Sequence, residues 1–275
     1  MRRIGYVISS LLLFQACNPV PEPASDNYVV EAYVFAGEPV RDITIKELVP
    51  LDEPEGESEI IEDARVVLKK GGSEYALVYN NASKKYRYAG SDLEISSLET
   101  LDLEVEVNGR VATSTTEVPT APVGIAISKE EMEIPEIKSA ADFITGNPLE
   151  GAEVTVTWSN PTHELHYTTV EFRSKLLKPI LPPDVQEVVD GIIEDFAIIT
   201  VPGTDTTFTV LGATLPSYGL YVVKVYKVNQ EYADLYQSET QDSRELNQPP
   251  SNIINARGIF SAFASDSVFF EVVKP

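Results

Sequence analysis

One cysteine, two histidines and a single tryptophan in 275 residues leave this chain short of the commonest reactive side chains. A lone Cys17 cannot form a disulfide within the chain, so stability has to come from packed apolar cores. With histidine confined to His163 and His166, a Ser-His-Asp or Cys-His site would have to be built on one of those two. They stand in His163-Glu164-Leu165-His166, one residue short of the helical spacing that turns two zinc ligands onto one face. The segment follows Asn160-Pro161 and precedes a strand, and it reads as polar residues in a turn. No Gly-x-Ser-x-Gly elbow, phosphate-binding glycine loop or dinucleotide fingerprint occurs. The chain is therefore expected to be no enzyme and to carry no cofactor or metal. A carboxylate-dependent hydrolase is the third-ranked reading, because 43 acids offer many pairs whose separation is invisible in sequence.

Basic residues are scarce as well, 21 against 43 acids, for a formal charge of −22. Such a surface repels nucleic acid and anionic headgroups. Long apolar runs are missing. The longest stretch, Ile8 to Phe14, falls short of the roughly 20 residues a spanning helix needs. Preceded by Arg2 and Arg3 and followed by Gln15-Ala16-Cys17, it has the form of an export signal. The small residue and cysteine at its end resemble the lipobox of bacterial lipoproteins. That resemblance implies a signal peptide over 1–16 and an acylated Cys17, the membrane contact of the protein. Asn18 is not the aspartate that retains enterobacterial lipoproteins in the inner membrane, so the outer membrane is expected, with its cell-surface and periplasmic faces both open. Residues 17–26 hold three prolines and no apolar periodicity, the composition of a tether.

From 27 to 120 the pattern is repeatedly strand-like. Leu101, Leu103, Val105 and Val107 alternate with Asp102, Glu104 and Glu106, and Asn108-Gly109 supplies the two positive-φ residues of a tight hairpin turn. Tyr28 to Phe35, Asp42 to Leu48 and Ala64 to Lys70 are further strands. The acidic stretch 47–63 weighs a calcium loop against a solvated, self-repelling one; Pro54 and Gly56 stand where ligands would be needed and favour the second. Prolines at 119, 122 and 135 mark 121–145 as an interdomain connection. Residues 146–275 form the second unit, with Trp158 on an early alternating strand as a core anchor. The fold class is all-β: two immunoglobulin- or fibronectin-III-like sandwiches in tandem, the second carrying one or two short inserted helices.

The first such helix is predicted from Val185, Val188, Val189, Ile192, Ile193 and Phe196, the second over Asn229 to Glu245. Their exposed candidates for partner contact are Val185, Ile192, Tyr232 and Tyr236. For both helices packing on their own sandwich is the preferred reading and partner contact the alternative.

The C-terminal stretch Ser251-Asn252-Ile253, then Gly258-Ile259-Phe260, following Glu231-Tyr232-Ala233-Asp234-Leu235-Tyr236, resembles the Bacteroidota lipoprotein family called domain of unknown function 4249. Val29 to Val34, Glu117-Val118-Pro119 and Trp158-Ser159-Asn160-Pro161 add to the likeness. Where the pattern has more glycine, this chain has Asn255-Ala256-Arg257. The resemblance implies a non-enzymatic accessory subunit encoded beside SusC-like TonB-dependent receptors, and hence a receptor of that kind as partner. The alternative in the same compartment is a stand-alone glycan- or peptide-binding lipoprotein using Tyr218, Tyr221, Tyr232 and Tyr236 as an aromatic platform.

Overall fold

The computed structural model describes residues 28–48, 58–138, 142, 149–181, 197–239 and 250–275. These residues are nearly all β. Seven strands follow one another in the first unit: β1 (Tyr28–Phe35), β2 (Asp42–Glu47), β3 (Arg65–Lys70), β4 (Ser73–Asn80), β5 (Lys85–Arg87), β6 (Thr100–Val107) and β7 (Arg110–Glu117). The alternation of β6 does what its period requires. Leu101, Leu103, Val105 and Val107 are buried, while Glu104 on the outer face takes Arg65 at 2.9 Å and Lys69 at 2.8 Å. Asn108 at φ 51° and Gly109 at φ 77° close the hairpin, so that Val107 stands opposite Arg110.

In the second unit, β8 (Val123–Ile127), β10 (Glu153–Ser159) and β13 (Thr207–Leu211) make a three-stranded sheet in the order β13-β10-β8. Facing it are β11 (His166–Phe172), β12 (Ala197–Ile199), β14 (Gly219–Val228) and β15 (Arg257–Val273), with β9 (Glu131–Glu133) parallel to the end of β15. Val154, Val156 and Trp158 from one sheet meet Val170, Val223 and Phe270 from the other, which makes this unit an immunoglobulin-like sandwich. Each such side chain contributes roughly 1.5–3 kcal/mol by leaving water. The expected connection over 121–145 needs correcting, since β8 and β9 lie within it and belong to this sandwich. Met132, between Glu131 and Glu133, and Ile134, between Glu133 and Pro135, are wholly buried.

Strand β15 joins the two units. Its first residues, Arg257 to Phe263, pair in parallel with β1, and Phe263 to Val272 pair antiparallel with β14. A segment expected to belong to the second sandwich thus also completes the first. Just before it, Ile254 bridges Thr113 of β7, with backbone bonds of 2.8 and 3.2 Å. The run 252–263 therefore closes the first sheet between β7 and β1. Side-chain parity continues along the strand: Phe260 and Ala262 enter the first core, Phe270 and Val272 the second, and odd-numbered Phe263 faces a third cluster with Tyr167, Tyr226 and Val228.

A helix, α1 (Gln230–Glu239), lies against that third cluster. It falls within the second expected helix. Residues 182–196, which hold the first expected helix with Val185 and Ile192, lie outside the described residues, as do Cys17 and most of the acidic stretch 47–63. Among the described residues no helix is long and apolar enough to cross a membrane.

Candidate functional site

Two places on the molecule gather polar or exposed groups from separate elements. The first is the junction between the sandwiches. Asn229 precedes α1 and donates its amide to Thr116 Oγ1 at 3.1 Å and to the Glu117 carbonyl at 2.8 Å. Glu231, in the first turn of α1, accepts from the hydroxyls of Thr116 at 3.1 Å and Ser261 at 3.3 Å. A carboxylate there is also favoured by the partial positive charge of the helix start. Lys227 reaches Glu164 at 2.6 Å and Thr120 at 2.8 Å, and its ammonium holds the Glu164 carboxyl below the usual range. All of these except the buried Ser261 line a cleft of about 660 Å³ together with Thr115, Gln230 and Asn252.

The second place is the far end of the second sandwich, where Ser174, Lys175, Leu176, Lys178, Tyr218 and Lys274 border an open concavity, also about 660 Å³. Leu176 and Leu177 are 72% and 46% exposed. Sequence reasoning passed over this loop. Its available signal was an apolar pair between two lysines, directly after a strand and before Pro179.

The tyrosines named from sequence part company. Tyr232 is half-buried at the centre of the aromatic cluster, its ring 4.8 Å from Phe263, 5.7 Å from Tyr167 and 5.9 Å from Tyr33. Tyr236, also half-buried, follows at 5.4 Å from Tyr232. Tyr218 and Tyr221 form no open platform with them. They are 5% and 0% exposed, their hydroxyls donating to the Pro135 carbonyl at 2.9 Å and the Ser217 carbonyl at 2.7 Å. Burial pushes the Tyr221 phenol well above its ordinary value. The aromatic platform is overturned for this pair, because strand parity turns Tyr221 inward against Phe270, ring to ring at 5.4 Å.

The two histidines separate as well. His163 is exposed in its turn at φ 55°, whereas His166 begins β11 and is buried, Nδ1 lying 3.0 Å from the Glu164 carbonyl. Burial holds the His166 imidazole below its usual pKa. Beside it the buried indole nitrogen of Trp158 has no hydrogen-bond partner, and both rings border a cavity of about 60 Å³. Among the described residues no three histidine, cysteine or acidic side chains stand together as metal ligands.

No curated protein matches the chain. Among solved structures, the crystal structure of a run of titin domains is similar, with 12% identity and a TM-score of 0.21 over 73% of this chain. The chain spans 56% of that titin fragment's length. A family model described as domain of unknown function (DUF4249) matches residues 18–268, and the chain belongs to that family.

Proposed function

We propose that this protein is a non-catalytic binding subunit, anchored to the outer membrane through an acylated Cys17 and working beside a SusC-like TonB-dependent receptor in nutrient uptake. The observation that carries the reading is Gln15-Ala16-Cys17 behind a short apolar run, followed by the proline-rich stretch 18–26. Two or more acyl chains on one cysteine hold a protein stably where one does not. A strand shared by both sandwiches supports a positioning role, since each unit fixes the other's loops. The junction groups support binding rather than catalysis, because Glu231, Glu164 and Lys227, though they line the cleft, are each engaged by neighbouring side chains.

The test is an epitope inserted in the exposed turn 81–84, followed by mild solubilisation of native outer membranes and identification of what co-purifies. A receptor in near-equal amount supports the reading. Recovery of this protein alone, from membranes where other receptor complexes survive, overturns it. Labelling with an alkynyl palmitate, lost in Cys17→Ala, tests the anchor separately. The junction cleft, lined by hydroxyls, amides and carboxylates, favours a second reading in which the protein itself binds a glycan or peptide there.

A further inference from the structure

The loop that follows β11 is clamped at both ends and exposed in the middle. At one end Arg173 N–H donates to the Leu220 carbonyl and Leu220 N–H donates to Ser174 Oγ, both at 2.8 Å. At the other, Lys178 N–H donates to Ser217 Oγ at 2.7 Å, and Tyr218 N–H donates to the Lys178 carbonyl at 2.8 Å. Ser217 is itself wholly buried under the Tyr221 hydroxyl. Gly219 sits at φ 132°, and a Cβ there would stand 2.5 Å from Ser174 Oγ, so the clamp closes only over a glycine. Four residues, Lys175-Leu176-Leu177-Lys178, are thereby presented in a fixed arc.

That arc is unlike the rest of the surface. The chain carries −22, yet three lysines, Lys175, Lys178 and Lys274, border one concavity against a single carboxylate, Glu271. Lys274 is held by Glu136 at 2.8 Å, while Lys175 and Lys178 make no ion pair among the described residues. Leu176 lines the concavity itself and Leu177 follows it in the arc, both exposed apolar side chains. Position matters too. Val29 stands opposite Arg257 in a parallel pair, so Tyr28, where the proline-rich stretch ends, and Lys274 lie at opposite ends of β15. A strand of that length spans about 50 Å.

We propose that this lysine-rimmed, leucine-tipped concavity is the docking site for a protein partner, and that it seats an extended segment whose apolar side chain is flanked by carboxylates. The inference rests on the binding-subunit reading above and names the surface that would do the binding. Leucines held out in water gain from being covered. The Lys175 and Lys178 ammonium groups, without an ion pair among the described residues, select an acidic rim and set the orientation of the segment. The anchor's own bilayer is disfavoured as occupant, because the site stands at the pole away from the tether on an acidic molecule.

The test places photo-reactive benzoylphenylalanine at Leu176, and as a control at Lys84 in the exposed turn of the first unit, in the full-length chain in native outer membranes. The expected result is one protein cross-linked from position 176 and not from 84, through a peptide with Asp or Glu beside apolar residues. The yield should fall roughly tenfold or more in Lys175→Glu/Lys178→Glu and return when the partner's acids are changed to lysine. An unchanged thermal midpoint of that double variant shows that its fold is intact. Cross-linking to lipid or to a second copy of this chain, or a yield indifferent to the charge reversal, overturns the proposal. A receptor that co-purifies while position 176 stays uncrosslinked overturns this inference alone. The expected cross-link with no receptor recovered supports the surface and overturns the receptor assignment, and failure of both removes both.

Discussion

Asn252 grips Phe260 by both ends of its side-chain amide, Nδ2 donating to the Phe260 carbonyl at 2.7 Å and Oδ1 accepting from the Phe260 N–H at 2.9 Å. The amide thus stands in for a neighbouring strand at the start of β15, and the Asn252 carbonyl in turn accepts from Ser114 Oγ on β7 at 2.8 Å. Asn252→Ala leaves both backbone groups without those partners and should lower stability by about 1–3 kcal/mol in urea unfolding. Asn252→Asp keeps the acceptor but sets a carboxylate oxygen against the Phe260 carbonyl. It should be no more stable than the alanine variant at neutral pH and should recover as the pH falls and the carboxyl becomes a donor.

Gly258 tests a close backbone approach between β15 and β1. It has φ 113°, and a Cβ built on it would lie 2.0 Å from the Val30 carbonyl oxygen. The three nearest atoms are all backbone of Val30, which cannot swing aside as a side chain would. Gly258→Ala should cost more than about 4 kcal/mol or abolish soluble expression, whereas Gly71→Ala, at φ 56° with open space around its Cβ, should cost about 1 kcal/mol. Comparable midpoints for the two variants would contradict the geometry.

The shared strand makes a prediction about fragments. Residues 27–120 contain every strand of the first sandwich except β15, the second partner of β1 beside β2, and Phe260 and Ala262 are missing from their core. That fragment should be unfolded or aggregation-prone alone, its β1 edge open, and should gain cooperative unfolding when a peptide of residues 250–263 is added. In the intact chain a single transition is expected, with both units losing structure together by circular dichroism and Trp158 fluorescence.

His166 gives a pH dependence with a definite sign. Burial depresses its folded pKa below the ordinary value of about 6.5, so below that pH the unfolded chain binds the proton first. Stability should be unaffected by this group above about pH 7 and should fall as the pH drops through 6.5 toward the folded pKa. Glu164, depressed by Lys227, contributes stability above its unfolded pKa of about 4.3 that is lost only at lower pH, so the two windows separate. Thermal midpoints between pH 7.5 and about 5 should slope in the wild type and flatten in His166→Gln.

What sequence alone determined is local. Alternation and Asn108-Gly109 specify the β6–β7 hairpin because side-chain period and turn φ are properties of adjacent residues. Trp158 as a core anchor and a helix after Asn229 follow from the same short-range rules. The sequence also carries the lipobox-like Cys17 and the acidity of the surface. Which strand pairs with which was decided elsewhere. Nothing within Arg257 to Phe263 marks β1 as its partner, because the pair is parallel and lies more than two hundred residues apart in sequence, where only the closing of a whole core selects it. Strands β8 and β9 were hidden by their brevity and by the acids around Met132. The tyrosines divided on parity and packing, Tyr221 inward under Phe270 and Tyr232 half-covered at the third cluster. The clamp that holds Leu176 in water needed tertiary structure most of all, since Ser174, Ser217 and Gly219 acquire their roles only when two separate loops meet.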